Sequence, residues 1–162
     1  MPFLPKKTVV VPVDFSSCSA EAICTALELT GMPENTHVIH VIQPLNPISP
    51  LGVWGDEDVE QKRIENAKKH LETFLAGNDI EGVTMAIEVG SEGTRIVEYA
   101  DRHNADLVVI PSHGRSGVKR ALLGSVAERV IRHAHCPTLV LRREAPDVDV
   151  DETRTTEPTI QQ

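Results

Sequence analysis

Three observations on this sequence predict an α/β domain, a doubly wound, five-stranded parallel sheet flanked by helices and so Rossmann-like. Short runs of β-branched residues alternate with segments whose apolar residues step by three and four. The first of those runs, Thr8–Val13, is β-branched and nearly all apolar rather than apolar at every second position, as a strand covered on both faces is. With 3% aromatic residues, the core has to be built from Val, Ile, Leu and Ala, which suits helices packed on a buried sheet. A chain of 162 residues is long enough for one such core.

The elements follow in order. Thr8–Val13 (TVVVPV) reads as the first strand and gives way at Asp14 to a polar turn, Phe15–Ser19. Ala22, Ile23, Ala26 and Leu27 then recur as one helical face, which Gly31-Met32-Pro33 stops. His37–Ile42 (HVIHVI) is the second strand, and the stretch from Pro44 to Pro50 continues neither sheet nor helix. From about Asp56 the apolar positions Ile64, Ala67, Leu71, Phe74 and Leu75 predict the longest helix, with Asp56, Glu57 and Asp58 suiting its N-terminus. Val83–Val89 is the third strand, and Gly90 to Thr94 turns into a helix carrying Ile96, Val97 and Ala100. Leu107–Ile110 (LVVI) is the fourth strand; a loop opening with Pro111-Ser112-His113-Gly114 leads to a helix at about Ser125–Ala134 and a last strand at Thr138–Arg142. Strict alternation implies right-handed crossovers, and ligands of such sheets sit beyond the carboxyl ends of strands where the winding reverses. Asp14 and Pro111–Gly114 both lie at such ends.

Residues 1–144 are read as this domain and 145–162 as an acidic disordered tail, since Asp147, Asp149, Asp151, Glu152 and Glu157 follow with no apolar rhythm. No run of about 18 apolar residues exists, and Met1–Lys7 leads straight into a strand, so a cytoplasmic protein without membrane insertion is expected. Cys18, Cys24 and Cys136 are odd in number and lack CxxC spacing, which argues against a disulfide framework or a zinc knuckle. A formal charge of −8 opposes general nucleic-acid binding. Yet between Pro111 and Arg143 the bases Arg115, Lys119, Arg120, Arg129, Arg132, Arg142 and Arg143 face one acid, Glu128, and that local excess suits a small anion.

The fourth strand is followed by Ile110-Pro111-Ser112-His113-Gly114, nine residues from Arg115 to Leu123, then Gly124-Ser125-Val126. Glycines there let backbone amides approach an anion, and a helix N-terminus adds unpaired N–H groups. Two plainer readings stand beside this one. Ser125 and Glu128 make a Ser-x-x-Glu capping box, and Gly114 and Gly124 suit turns that need positive φ. Gly117 reads as a loop turn.

The string SHGRSGVKRALLGSVAERVIRHAHCPTLVL, and the chain from Thr8 to about Arg143, resembles the universal stress protein family. Nucleotide-binding members of that family carry Gly-x2-Gly-x9-Gly-(Ser/Thr) between the fourth strand and the last helix. The resemblance implies an ATP site, with or without magnesium, in a stress-response sensing or signalling module rather than a fast enzyme. It assigns the adenosine end to Pro12, Val13, Asp14 and Val41, and the rest of the nucleotide to Ile110, Pro111, Gly114, Gly124, Ser125 and Val126. It also implies a homodimer paired through the last strand. Pro111 departs from the family pattern by replacing its first glycine, which removes one N–H donor while leaving a carbonyl able to accept from a ribose hydroxyl. Asp14 can accept from adenine or ribose, or serve only to cap the Phe15–Ser19 turn. Arg115, Lys119 and Arg120 can neutralise terminal phosphates or lie solvated.

Two rival readings remain: a stress-response interaction protein that binds no nucleotide, which Pro111 favours, and a slow ATPase. Gly-x4-Gly-Lys-(Ser/Thr) and Gly-x-Gly-x-x-Gly are both absent, which argues against P-loop and dinucleotide enzymes. Neighbouring side chains of an extended Ser112-His113 point apart, a poor arrangement for a nucleophile and its base. His133, His135 and Cys136 have no second ligand cluster, and His133 is explained by the helix dipole.

Overall fold

The computed structural model describes residues 5–45, 57–112 and 123–142. They form β1 (Val9–Pro12), α1 (Ser17–Thr30), β2 (Thr36–Ile42), α2 (Glu57–Ala76), β3 (Thr84–Val89), α3 (Glu92–Arg102), β4 (Leu107–Pro111), α4 (Ser125–His133) and β5 (Thr138–Leu141), with a single 3-10 turn at Pro33–Asn35 before β2. All strands are parallel in the order β3-β2-β1-β4-β5, so the winding reverses between β1 and β4. This is the predicted doubly wound sheet.

Alternation along each strand divides the core. Val9, Val11, Val38, Leu107 and Val109 face α1 and α2, meeting Ala22, Ile23, Ala26, Leu71 and Leu75. Val10, Ile39, Val41, Val108 and Ile110 face α3 and α4, meeting Ile96, Tyr99, Ala100, Ala127 and Val130. Both faces of the central strands are therefore apolar and dry, which is why their sequences show no polar alternation.

Helix ends follow local chemistry. Ser16 caps α1, its Oγ accepting from Ser19 N, and Gly31 closes the helix at φ 67° with its N–H donating to Leu27 O. That left-handed position favours glycine. Strand limits differ from the prediction by a residue or so, and the differences are instructive at the carboxyl ends. Val13 lies outside β1, although its N–H still donates to Ile39 O at 2.9 Å. Pro111, expected to open the loop, is the last residue of β4, paired with Leu141. The loop over 46–56 and the acidic tail fall outside the described residues.

Candidate functional site

The site lies where the paired seam between β1 and β4 ends, and two prolines stand at that end. Val108 N donates to Pro137 O and Ser112 N to Leu141 O, so even-numbered amides of β4 face β5 and residues 109 and 111 face β1. Val13 N donates to Ile39 O, so residues 10 and 12 of β1 face β4. The β1–β4 ladder pairs only Val9 with Leu107 and Val10 with Val108. In that register the next two donors belong to residues 12 and 111, and both are proline. Neither can extend the seam, so the strands part here. Pro111 is thus compatible with β4 because its missing N–H faces the gap and not β5.

A cavity of about 320 Å³ occupies the gap. Its wall contains Pro12, Val13 and Asp14 from the end of β1, Val41 from β2, Ile110 and Pro111 from β4, and Gly124, Ser125 and Val126 from the start of α4. Those are all the sequence-predicted site residues except Gly114, which lies outside the described residues with His113, Arg115, Gly117, Lys119 and Arg120. Ser19, Ile39, His40, Glu92, Ile96 and Ala127 complete the lining and were not foreseen. Ile39 could have been found, since it shares a strand face with Val41. Glu92 and Ile96 come from α3, which no motif marked.

At the α4 end, Gly124 N donates to Ser112 O at 2.9 Å and closes the base of the loop. The first helical bond runs from Glu128 N to Gly124 O, so the N–H groups of Ser125, Val126 and Ala127 have no acceptor within the helix. Two sequence expectations are corrected here. The Ser125–Glu128 capping box does not form, because Gly124 is the N-cap and Ser125 the first helical residue, one position too late. Glu128 instead binds Arg132 at 2.7 Å. Nor does Gly124 adopt positive φ; it sits at φ −63° and ψ 148°, open to any residue. Gly124 is thus a glycine that its own backbone does not require, placed at the N-cap of α4 and in the cavity wall.

At the opposite wall, the β1 exit is tightly bound. Asp14 N donates to Ser19 Oγ at 3.1 Å, Ser19 Oγ donates back to Asp14 Oδ1 at 2.7 Å, and Ser16 N donates to the same Oδ1 at 3.0 Å. Asp14 therefore shapes the turn and lines the cavity at once, combining the two readings the sequence left open. His40 Nδ1 lies 2.8 Å from Val13 O, which only accepts, so this nitrogen carries the proton.

A second, polar cleft of about 470 Å³ adjoins the cavity, sharing Glu92, Ser125 and Val126 and bordered by Gln43, Ser91, Arg129, Arg132 and His133. Its shape depends on Gly93, which is buried against Arg129. Among the described residues no three His, Cys, Asp or Glu side chains converge. His135 Nδ1 lies 3.9 Å from Asp101 Oδ1, and burial pushes the Cys136 thiol up. Among the described residues no helix is long and apolar enough to cross a membrane.

Comparison with known proteins agrees with this architecture. Universal stress protein MJ0531 of Methanocaldococcus jannaschii is 34% identical over 140 residues, covering 85% of this chain and 82% of that one. The solved structure of MJ0577, from the same organism, superposes with a TM-score of 0.71 at 28% identity, covering 88% of this chain and all of the other. A universal stress protein solved in complex with cAMP shares the fold at a TM-score of 0.56 and 23% identity, covering 85% and 98%. The sequence model of the universal stress protein family matches residues 6–142, which include every described strand and helix, and the chain belongs to that family.

Proposed function

We propose that this chain is a stress-response module that binds an adenine nucleotide, ATP foremost, in the cavity between β1 and β4. The observation that carries the reading is the pairing of opposite chemistries across one cavity: the first-turn N–H groups of α4, which have no acceptor within the helix, at one end, and a carboxylate with proline-flanked carbonyls at the other. The first suits phosphate, the second suits groups that donate hydrogen bonds, such as an amino group or ribose hydroxyls. Ile39, Val41, Ile96 and Ile110 supply apolar wall for a base. A volume of about 320 Å³ is at the lower end of ligand sites, roughly 300–1,000 Å³. It suits a nucleoside body whose distal phosphates extend past Ser125. That a universal stress protein sharing this fold has been solved in complex with cAMP supports a nucleotide as the ligand class.

In this reading residues 1–144 are the binding domain, 145–162 a separate acidic tail, and the protein works in the cytoplasm as a homodimer. Support for dimerisation is that β5 is a sheet edge, with Leu139 and the nearby Ile131 exposed. The test of nucleotide binding is calorimetric titration of nucleotide-free protein with ATP and magnesium, for which micromolar affinity is expected. Absence of heat and of thermal stabilisation by millimolar ATP would favour the second reading, an interaction protein without nucleotide. Pro12 and Pro111 are the observation behind that alternative, since together they remove both backbone donors from the floor.

A further inference from the structure

Of the non-glycine residues with positive φ, Asp79 and Asn104 follow helix ends and belong to types that tolerate that conformation. Phe15, at φ 65°, does not. A bulky residue held in this region implies that its surroundings over-determine it, and such strain collects at functional sites. Its surroundings are specific. The Phe15 ring stacks on His70 of α2 at 4.1 Å and 19°, meets His40 of β2 at 4.4 Å and Phe74 of α2 edge-on at 5.5 Å. Directly before it stands Asp14, tied to buried Ser19 through a reciprocal pair of hydrogen bonds. Before that stands Val13, whose carbonyl is held by His40. Val13 and Asp14 at the cavity wall, and Phe15 directly after them, are thus each fixed from a different element.

We propose that Phe15, Ser19 and His40 are positioning residues that present the Asp14 carboxylate to the cavity in one orientation, and that this orientation selects ligands donating a hydrogen bond there, adenine over guanine among nucleotides. The selectivity part rests on the nucleotide reading above; the positioning part does not. Asp14 Oδ1 accepts from Ser16 N and Ser19 Oγ together, which fixes the plane of the carboxylate. The Phe15 ring, clamped between His70 and His40, stops the turn from relaxing to an ordinary φ. A carboxylate held in this way accepts from an amino group and repels the carbonyl oxygen that guanine carries at the same ring position.

Two measurements on the full chain keep the parts distinct. The first is amide hydrogen exchange of Ser16 in the nucleotide-free protein, in wild type, Ser19→Ala, Phe15→Gly and Phe15→Tyr. Protection of Ser16 should fall at least tenfold in the first two variants and be kept in Phe15→Tyr, with β-strand amides unchanged in all. Unaltered Ser16 protection in both Ser19→Ala and Phe15→Gly would overturn the positioning claim whether or not nucleotide binds. The second is calorimetry with ATP, GTP and inorganic tripolyphosphate. Ser19→Ala and Phe15→Gly should lose most of the ATP-over-GTP preference while tripolyphosphate affinity stays within twofold. Equal loss for all three ligands would reduce these residues to general structural support and overturn the selectivity claim. Lack of any nucleotide binding by wild type would refute the functional reading and the selectivity with it, leaving the exchange result to decide the positioning.

Discussion

Replacing Gly124 by valine separates a glycine kept for its backbone from one kept for what approaches it. Gly124 sits in an extended conformation that valine adopts readily, whereas Gly31 sits at φ 67° although nothing lies within 4 Å of a Cβ built there. Gly31→Ala therefore costs only conformational energy, about 1 kcal/mol. Gly124→Val loses N-cap preference, also about 1 kcal/mol. Stability does not distinguish the two, and ligand binding does. The new isopropyl group stands at the cavity wall beside the N–H groups of Ser125, Val126 and Ala127. Each charge-assisted hydrogen bond it blocks is worth about 1.5–3 kcal/mol, or about ten- to a hundredfold in Kd. Urea unfolding and calorimetric titration with ATP and magnesium give both numbers for both variants. Gly31→Ala should bind as wild type does, and Gly124→Val at least tenfold more weakly at similar stability. Binding by Gly124→Val within twofold of wild type would refute the reasoning, and so would equal weakening in the two variants.

Other perturbations test the frame around the cavity. A Cβ at position 93 would lie 2.8 Å from Arg129 Cδ and 2.9 Å from its Cβ, so Gly93→Ala should displace α4 and destabilise the fold by about 1–2 kcal/mol, read by chemical unfolding; an unchanged midpoint would mean that Arg129 simply swings aside. Burial, and then the neighbouring His103, holds the His37 imidazole below its usual range, in a cluster completed by Tyr99 and Arg102 of α3 and Glu88 of β3. With the folded pKa below the unfolded one, stability is fully present above about pH 6.5 and is lost as pH falls from there through the folded value. His37→Gln should flatten that slope in Tm between pH 7 and 5, and a slope unchanged from wild type would assign it to other groups. On the proposed homodimer, Leu139→Lys places a charge on the exposed edge strand and should give a monomer in light scattering with an unchanged far-UV circular dichroism spectrum; a variant that remains dimeric would place the interface elsewhere.

Much of this molecule was legible in its sequence because a doubly wound sheet writes its burial directly into composition. The runs at Thr8–Val13, His37–Ile42 and Leu107–Ile110 are apolar on both faces, and each became a central strand with its alternate residues in separate cores. Glycines were harder to read, because a sequence does not reveal φ. The same residue type closes a helix at Gly31, permits close helix packing at Gly93 and lines the cavity at an ordinary φ at Gly124. Capping boxes depend on a single-residue register, and Ser125 fell one position inside the helix. Pro111 looked like a lost donor when considered alone. Its place became legible only with the strand order, which sets it across the seam from Pro12 at the winding reversal, where neither residue can donate to the other strand. Ser19, His40 and Glu92 reach the cavity from parts of the chain that no linear motif connects.

The central claim is that one nucleotide spans the gap between β1 and β4 with its phosphates on α4, and the most direct test is an amide NMR titration of the nucleotide-free protein with ATP and magnesium. The largest shift changes should fall together, at one affinity, on Ser125, Val126 and Ala127 at one end and on Val13, Asp14 and Val41 at the other. Changes confined to surfaces away from this cavity, or none at millimolar ATP, would contradict it.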